Sequence, residues 1–446
     1  MQKNKSKKIG IGALVAVFVG YTCSVTSIPN GAIIGQHTYF HEGTIGIIIA
    51  FGLATLISTL TSYIGYKTGK NKDVIFKTVF GKHGFLLCSL IFAFCQAFWA
   101  CYDFFNAGQA LYNLMPDGFI FKNLGFCIAV AILLVLTIVG GLYGMKGVAA
   151  ISTATIPVAI ILFIIIYAVC LGQAGGFAGL QAYIPTEHTL GIAGSAQIMF
   201  GMWMAAYIGM IDLTTEAKNA KAVFFACLGG AAFIMLCFFV GQVGFVGTTF
   251  KTIGDICLSL GGAIFIIGNL FVIVAQGNTT PAACYMYTIS FSESLRLSRK
   301  TLAIIVPCIV AVVSFVIMYG PGVDFINNIT SIISTLMGPI IGVIIAEFYL
   351  ISKCNMKIGD AEHLPSIQPA ALLSLVIGVA LSFVFSNVLH ISLHSLLTIG
   401  ITLIMHLVLA KGFKLQIHNY LTENISQSNN DADIKISTAV GKIETE

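Results

Sequence analysis

The chain has 446 residues, 57% of them hydrophobic and only 9% charged, with a formal net charge of +5 and a mean hydropathy of +0.94. A soluble domain carries about 25% charged residues, and a bilayer-crossing helix takes roughly 20 mainly apolar ones. These figures exclude a soluble enzyme, a nucleic-acid binder and a secreted disulfide scaffold, and they leave an all-α polytopic membrane protein.

Hydropathy and helix breakers predict twelve transmembrane spans, near residues 10–36, 43–66, 84–112, 123–145, 149–171, 190–211, 222–247, 261–291, 301–319, 325–351, 368–386 and 389–410. The opening Met-Gln-Lys-Asn-Lys-Ser-Lys-Lys is basic, like a signal peptide, but the apolar run behind it carries no small-residue cleavage site and reads as a retained first span. That span is interrupted by Thr-Ser-Ile-Pro-Asn-Gly-Ala at 26–32. In hydrocarbon, backbone groups freed by Pro and Gly must face protein or a water-filled cavity. The third span holds Gln96, Trp99 and Asp103, which share one helix face by their spacing. Asp103 is the one carboxylate well inside a predicted span, a position where ionisable groups are functional by default. It reads equally as a proton carrier, a contact for a ligand amine, or a structural acid.

The sixth span contains Phe-Gly-Met-Trp-Met-Ala-Ala-Tyr-Ile-Gly at 200–209, a second interruption with Trp203 inside it. Trp99 and Trp203 are the only two tryptophans, and both lie mid-span, away from the interfacial belts that Trp usually favours. Two aromatic planes and an amide suit a flat heteroaromatic ligand; packing is the alternative. The eighth span carries Ala-Gln-Gly-Asn-Thr-Thr-Pro at 275–281. Gln276, Asn278, Thr279 and Thr280 form a polar turn whose oxygens suit a hard cation such as Na⁺, or serve hydrogen bonding between helices. The twelve cysteines mostly sit in apolar runs as small hydrophobes, and none forms a C-x-x-C pair.

Of the 23 Lys and Arg residues, only Lys122 and Lys251 fall on one side of the predicted spans. The positive-inside rule therefore places both termini in the cytoplasm. Broken helices at matching positions of two halves mark the site of inverted-repeat transporters, and spans one and six open two five-helix units. The expected organisation is one transport domain, 1–410, with repeats at about 10–171 and 190–351, extra helices over 368–410, and a disordered cytoplasmic tail over 411–446.

Four strings then carry a family likeness: Tyr63-Ile64-Gly65-Tyr66-Lys67-Thr68-Gly69, Gln96-Ala97-Phe98-Trp99, Lys218-Asn219-Ala220-Lys221, and the stretch from Pro339 through Gly342 and Glu347 to Tyr349. In order and spacing the chain resembles the nucleobase:cation symporter-1 family, in its bacterial cytosine/purine permease branch. The resemblance implies a LeuT-type 5+5 inverted repeat plus two C-terminal helices. It implies that Trp99 and Trp203 stack on the substrate, that Gln96 bonds its edge, and that backbone around Met202, Ala205 and Ala206 completes the pocket. It implies a sodium site built from the carbonyls of Gly20 and Cys23 with the side chains of Asn278 and Thr279. Two positions depart from the pattern: Ala275, beside Gln276, stands where cytosine permeases typically have Asn, and Asp103 is foreign to it.

The expected function is cation-coupled uptake of a nucleobase-like heterocycle into the cell, driven by Na⁺ or H⁺, with no other cofactor. A same-fold carrier of allantoin, a hydantoin, a thiamine-precursor pyrimidine, an amino acid or an amine is the alternative, with a channel or a membrane sensor further off. The partners implied are the heterocyclic solute and membrane lipid, and a monomer suffices.

Overall fold

Large apolar side chains lie on the outside of this chain as well as in its core. Val135, Ile161, Val312, Val316, Ile404 and Val408 are all exposed, while Asn30, Gln96, Asp103, Gln242, Asn269, Gln276 and Asn278 are buried. That inversion suits a lipid solvent, in which the backbone must bond to itself and helices are the remaining open choice. The computed structural model describes residues 8–23, 25–143, 145–320, 324–356, 358 and 364–412. Most of the tail expected to be disordered lies outside the described residues; Lys411 and Gly412 still belong to the last helix.

Among the described residues, eleven helical spans are long and apolar enough to cross a membrane, and a bent pair supplies a twelfth. The bent pair is α1 (Ile11–Thr22) and α2 (Ser27–His37), which meet at 63°. Then come α3 (Phe40–Thr68), the short α4 (Lys72–Phe80), α5 (Phe85–Leu114), α6 (Phe119–Tyr143), α7 (Met145–Gln173) and the short α8 (Gly176–Ala182). The second half opens with α9 (Ile192–Met202) and α10 (Met204–Leu213), counted together as one span, and continues with α11 (Ala220–Thr248), the short α12 (Ile253–Leu260), α13 (Gly262–Leu295), α14 (Arg299–Tyr319) and α15 (Asp324–Ile345). A π-helical turn over Ala346–Ile351 follows α15, and α16 (Pro369–Asn387) and α17 (His394–Gly412) complete the fold. The predicted spans thus agree with the helices to within a few residues. The exceptions are α4, α8 and α12, which are too short for hydropathy to register.

The first broken span is held by an unusually close neighbour. A Cβ at Gly31 of α2 would lie 2.2 Å from the Phe238 carbonyl of α11, and one at Gly241 of α11 would lie 2.0 Å from the Ile28 carbonyl. Small residues at such contacts let helix backbones touch, which is how membrane helices gain packing energy without a hydrophobic drive. In α13, Pro281 is accommodated by Gly140 of α6, where a Cβ would sit 2.3 Å from the proline ring. The π-helical turn aims Glu347 at His406 of α17, 3.1 Å away, and so fixes α15 to the last helices.

One end of the bundle carries a buried ion cluster. Lys72 Nζ lies 3.0 Å from Asp73 and 3.0 Å from Asp212 of α10, and over the Phe92 ring of α5. Asp212 also accepts from the Lys72 backbone N–H at 2.6 Å. Asp73 accepts from the hydroxyls of Ser89 on α5 and Ser290 on α13. Beside it, Ile9 exchanges backbone hydrogen bonds with Glu216 and Lys218 just past α10. Burial alone would push the Lys72 ammonium down, yet Asp212 and Asp73 outweigh it and hold its pKa above the ordinary lysine value.

Removing one member of a buried ion cluster strands the others, at about 3–5 kcal/mol, whereas replacing the whole set is nearly neutral. Lys72→Met should therefore lower the melting temperature in detergent sharply, and adding Asp73→Asn and Asp212→Asn should restore most of it. Because the Lys72 pKa is raised, its contribution is present below the ordinary lysine pKa and lost only as pH climbs through the raised value. A wild-type melting curve that falls steeply between neutral and mildly alkaline pH would have another cause.

Candidate binding site

The two helix breaks differ in kind. At the first, α1 stops at Thr22 and α2 resumes at Ser27. The Thr22 hydroxyl bonds back to the carbonyls of Phe18 at 2.9 Å and Val19 at 3.2 Å, and the Cys23 N–H reaches the Gly20 carbonyl at 3.3 Å. At the second, a single residue departs from helix: Trp203, with φ −95° and ψ 8°. The carbonyls ending α9 lose their ordinary partners there. One is recovered from a distance, because the Tyr207 hydroxyl donates to the Phe200 carbonyl at 3.3 Å. From the neighbouring span, the Thr61 hydroxyl donates to the Tyr207 carbonyl at 2.6 Å.

Between the two breaks and the faces of α5 and α13 lies a small cavity of about 40 Å³. From α1 and the first break come Tyr21 and Thr26, from α5 Gln96, Trp99 and Asp103, from the second break Met202, Trp203 and Ala206, and from α13 Thr279 and Ala283. Gln96 Nε2 donates to the Tyr21 hydroxyl at 3.2 Å, and the Tyr21 ring meets Trp203 edge to face at 6.5 Å. Trp203 is 8% exposed, and its indole N–H is buried with no acceptor among the described residues. The Thr279 hydroxyl lies 3.2 Å from Asp103 Oδ2 and 3.0 Å from Gln276 Oε1. A water needs about 10–15 Å³ of such space, so the cavity holds a few waters, and a planar ring enters only if the walls move apart.

Seven of the residues singled out from sequence line this cavity: Gln96, Trp99, Asp103, Met202, Trp203, Ala206 and Thr279. Ala205, Ala275 and Gln276 are buried in the same helices without lining it. Gly20, Cys23 and Asn278 are buried too and lie off the cavity. Thr280 takes the structural course, back-bonding to the Gln276 carbonyl at 2.7 Å and accepting from Thr137 of α6 at 3.1 Å. Sequence reasoning missed Tyr21, Thr26 and Ala283. Tyr21 and Thr26 flank the first break, and Ala283 is one turn beyond Thr279, so adjacency to features already noted was the available signal.

A second, larger chamber of about 320 Å³ opens toward the opposite end of the bundle from the ion cluster. It starts one turn further along the same helices, at Asn30 on α2 and Ile198 on α9, and reaches His37, Gln197, Ser334 and His394. The Gln197 side chain donates to Ser395 at 2.6 Å, which ties α9 to α17 across the chamber wall.

A sequence model described as permease for cytosine/purines, uracil, thiamine, allantoin matches residues 3–405. The cytosine permease of Escherichia coli (strain K12) is 25% identical over 381 residues, covering 84% of this chain and 86% of that protein. The hydantoin permease of Microbacterium maritypicum is 21% identical over 405 residues, covering 80% and 78%. Among solved structures, the nucleobase-cation-symport-1 family transporter Mhp1, closed with bromovinylhydantoin bound, superposes with a TM-score of 0.75 at 18% identity, over 91% of this chain and 94% of that one.

The Tyr207 hydroxyl is the test of how the second break is held. Tyr207→Phe keeps the ring and strands a buried carbonyl, a loss of about 1–3 kcal/mol. The variant should melt below wild type in detergent, and an unchanged melting curve would mean that the Phe200 carbonyl finds another donor.

Proposed function

The chain belongs to the nucleobase:cation symporter-1 family, in its cytosine/purine permease branch, and on that premise we propose that it is a cation-coupled secondary carrier that brings a nucleobase-like heterocycle into the cell by alternating access. Residues 1–410 act as one transport domain in the cell membrane, with both termini in the cytoplasm. The observation that carries this reading is the cavity where both broken helices meet, walled by Trp99 and Trp203 and edged by Gln96, Tyr21 and Asp103. Aromatic planes supply stacking to any flat ring, and the polar edge supplies orientation. The relatives named for cytosine and hydantoin support a small planar heterocycle as cargo.

The coupling ion is proposed to sit beside the cavity, held by the carbonyls of Gly20 and Cys23 at the end of α1 and by Asn278 and Thr279 of α13. Carbonyl and hydroxyl oxygens are the ligands Na⁺ prefers over nitrogen or sulfur. Such a site would strap α1 to α13, so that ion binding helps assemble the pocket for the ring. That linkage is reciprocal: the factor by which Na⁺ raises heterocycle affinity is the factor by which heterocycle raises Na⁺ affinity.

Proteoliposomes holding the full chain should accumulate a labelled nucleobase while an inward cation gradient lasts, and lose it when the gradient is collapsed. Base stacking is worth roughly 1–3 kcal/mol, so Trp99→Ala and Trp203→Ala should each weaken binding by about that much, and Asn278→Ala should raise the Na⁺ needed for binding. Ion conductance without solute exchange would sink the carrier reading. Binding indifferent to Na⁺ that instead follows pH would pass the coupling role to a proton.

A further inference from the structure

The α5 edge of the central cavity is chemically lopsided. Gln96 presents an amide, able to donate and to accept, and its Nε2 already donates to Tyr21. Seven residues further along the same helix, Asp103 presents a carboxylate, which only accepts when ionised. It lines the cavity and is 4% exposed. Thr279 does little to change that character, since its single hydroxyl proton is shared among three acceptors within reach, Gln276 Oε1 at 3.0 Å, Asp103 Oδ2 at 3.2 Å and the Gln276 carbonyl at 3.5 Å. Among the described residues, no Lys, Arg or His lines the cavity.

A planar ring lying against Trp99 and Trp203 turns one edge to Asp103. An exocyclic amino group at that edge donates N–H to the carboxylate, a charge-assisted bond. Against the ionised carboxylate, a carbonyl oxygen in the same place sets lone pairs against lone pairs in a desolvated site, which disfavours that ligand. We infer that Asp103 determines specificity here and makes the cargo an amino-substituted heterocycle in preference to its oxo counterpart. This inference rests on the heterocycle-carrier reading above and narrows it, because the family's described cargoes include both kinds. An Asn at 103 would behave differently, since its amide can turn its N–H₂ toward a carbonyl.

The test is equilibrium binding to the purified full-length chain at neutral pH, with two matched pairs as probes: cytosine against uracil, and adenine against hypoxanthine. In whichever pair binds, the amino member should bind about tenfold tighter or more, and in Asp103→Asn that preference should collapse or reverse. An oxo member that binds wild type as tightly as its amino partner overturns the inference and leaves the carrier reading standing. So does an amino preference that survives intact in a well-folded Asp103→Asn. If wild type binds none of the four probes, this inference fails, and the carrier reading then turns on the uptake experiment with other heterocycles such as hydantoins. The wild-type ratios decide the question even where the variant proves unstable.

Discussion

A helix that breaks inside hydrocarbon exposes backbone donors and acceptors where no water can meet them. Everything at the centre of this molecule is arranged around two such breaks. The gap between α1 and α2 and the single irregular residue Trp203 each release polar groups. Thr22 and Tyr207 recover part of them with side-chain hydroxyls. Residues of both breaks line the cavity shared with α5 and α13. The glycine contacts serve the same constraint: Gly31 and Gly241 let α2 and α11 touch at backbone distance, so the bent half-helix is held by a neighbour and not by lipid.

The two ends of the molecule are unlike. Toward one end, one turn beyond the cavity, lies a chamber of about 320 Å³. Toward the other lies the Lys72–Asp73–Asp212 cluster, bridging α4, α5, α10 and α13. A buried ion cluster is a poor source of net stability, but it is sensitive to geometry, because separating its members leaves charges in a low-dielectric setting. Asp212 belongs to the second broken span, and Ser89 and Ser290 belong to the helices facing it. Separating those helices would break the hydrogen bonds that join them in this cluster.

Much of the architecture was legible in the sequence because a membrane imposes a long, crude signal. Runs of some 20 apolar residues give the spans, and Pro and Gly give the first break. The face shared by Gln96, Trp99 and Asp103 follows from helical periodicity alone. Less legible was anything set by contact between distant segments. Tyr21 looks like an ordinary aromatic until Gln96 is found bonded to it across 75 positions of chain. Lys72 reads as one more basic loop residue, and only the fold brings Asp212 to it. The polar turn at 276–280 fitted both ion binding and helix repair; Thr280 takes up repair, while Thr279 turns its hydroxyl toward the cavity. The π-helical turn at Ala346–Ile351 leaves no mark in hydropathy, which does not distinguish one helical hydrogen-bond pattern from another.

The central claim is that a planar ring binds where the two breaks meet, against Trp99 and Trp203 with its edge toward Gln96 and Asp103. An experimental structure of the full chain saturated with a bound nucleobase addresses it directly. The expected result is flat density against both indoles, within hydrogen-bonding distance of the α5 edge, in a cavity widened beyond about 40 Å³. Density confined to the outer chamber, or a ring seated away from both tryptophans, would contradict it.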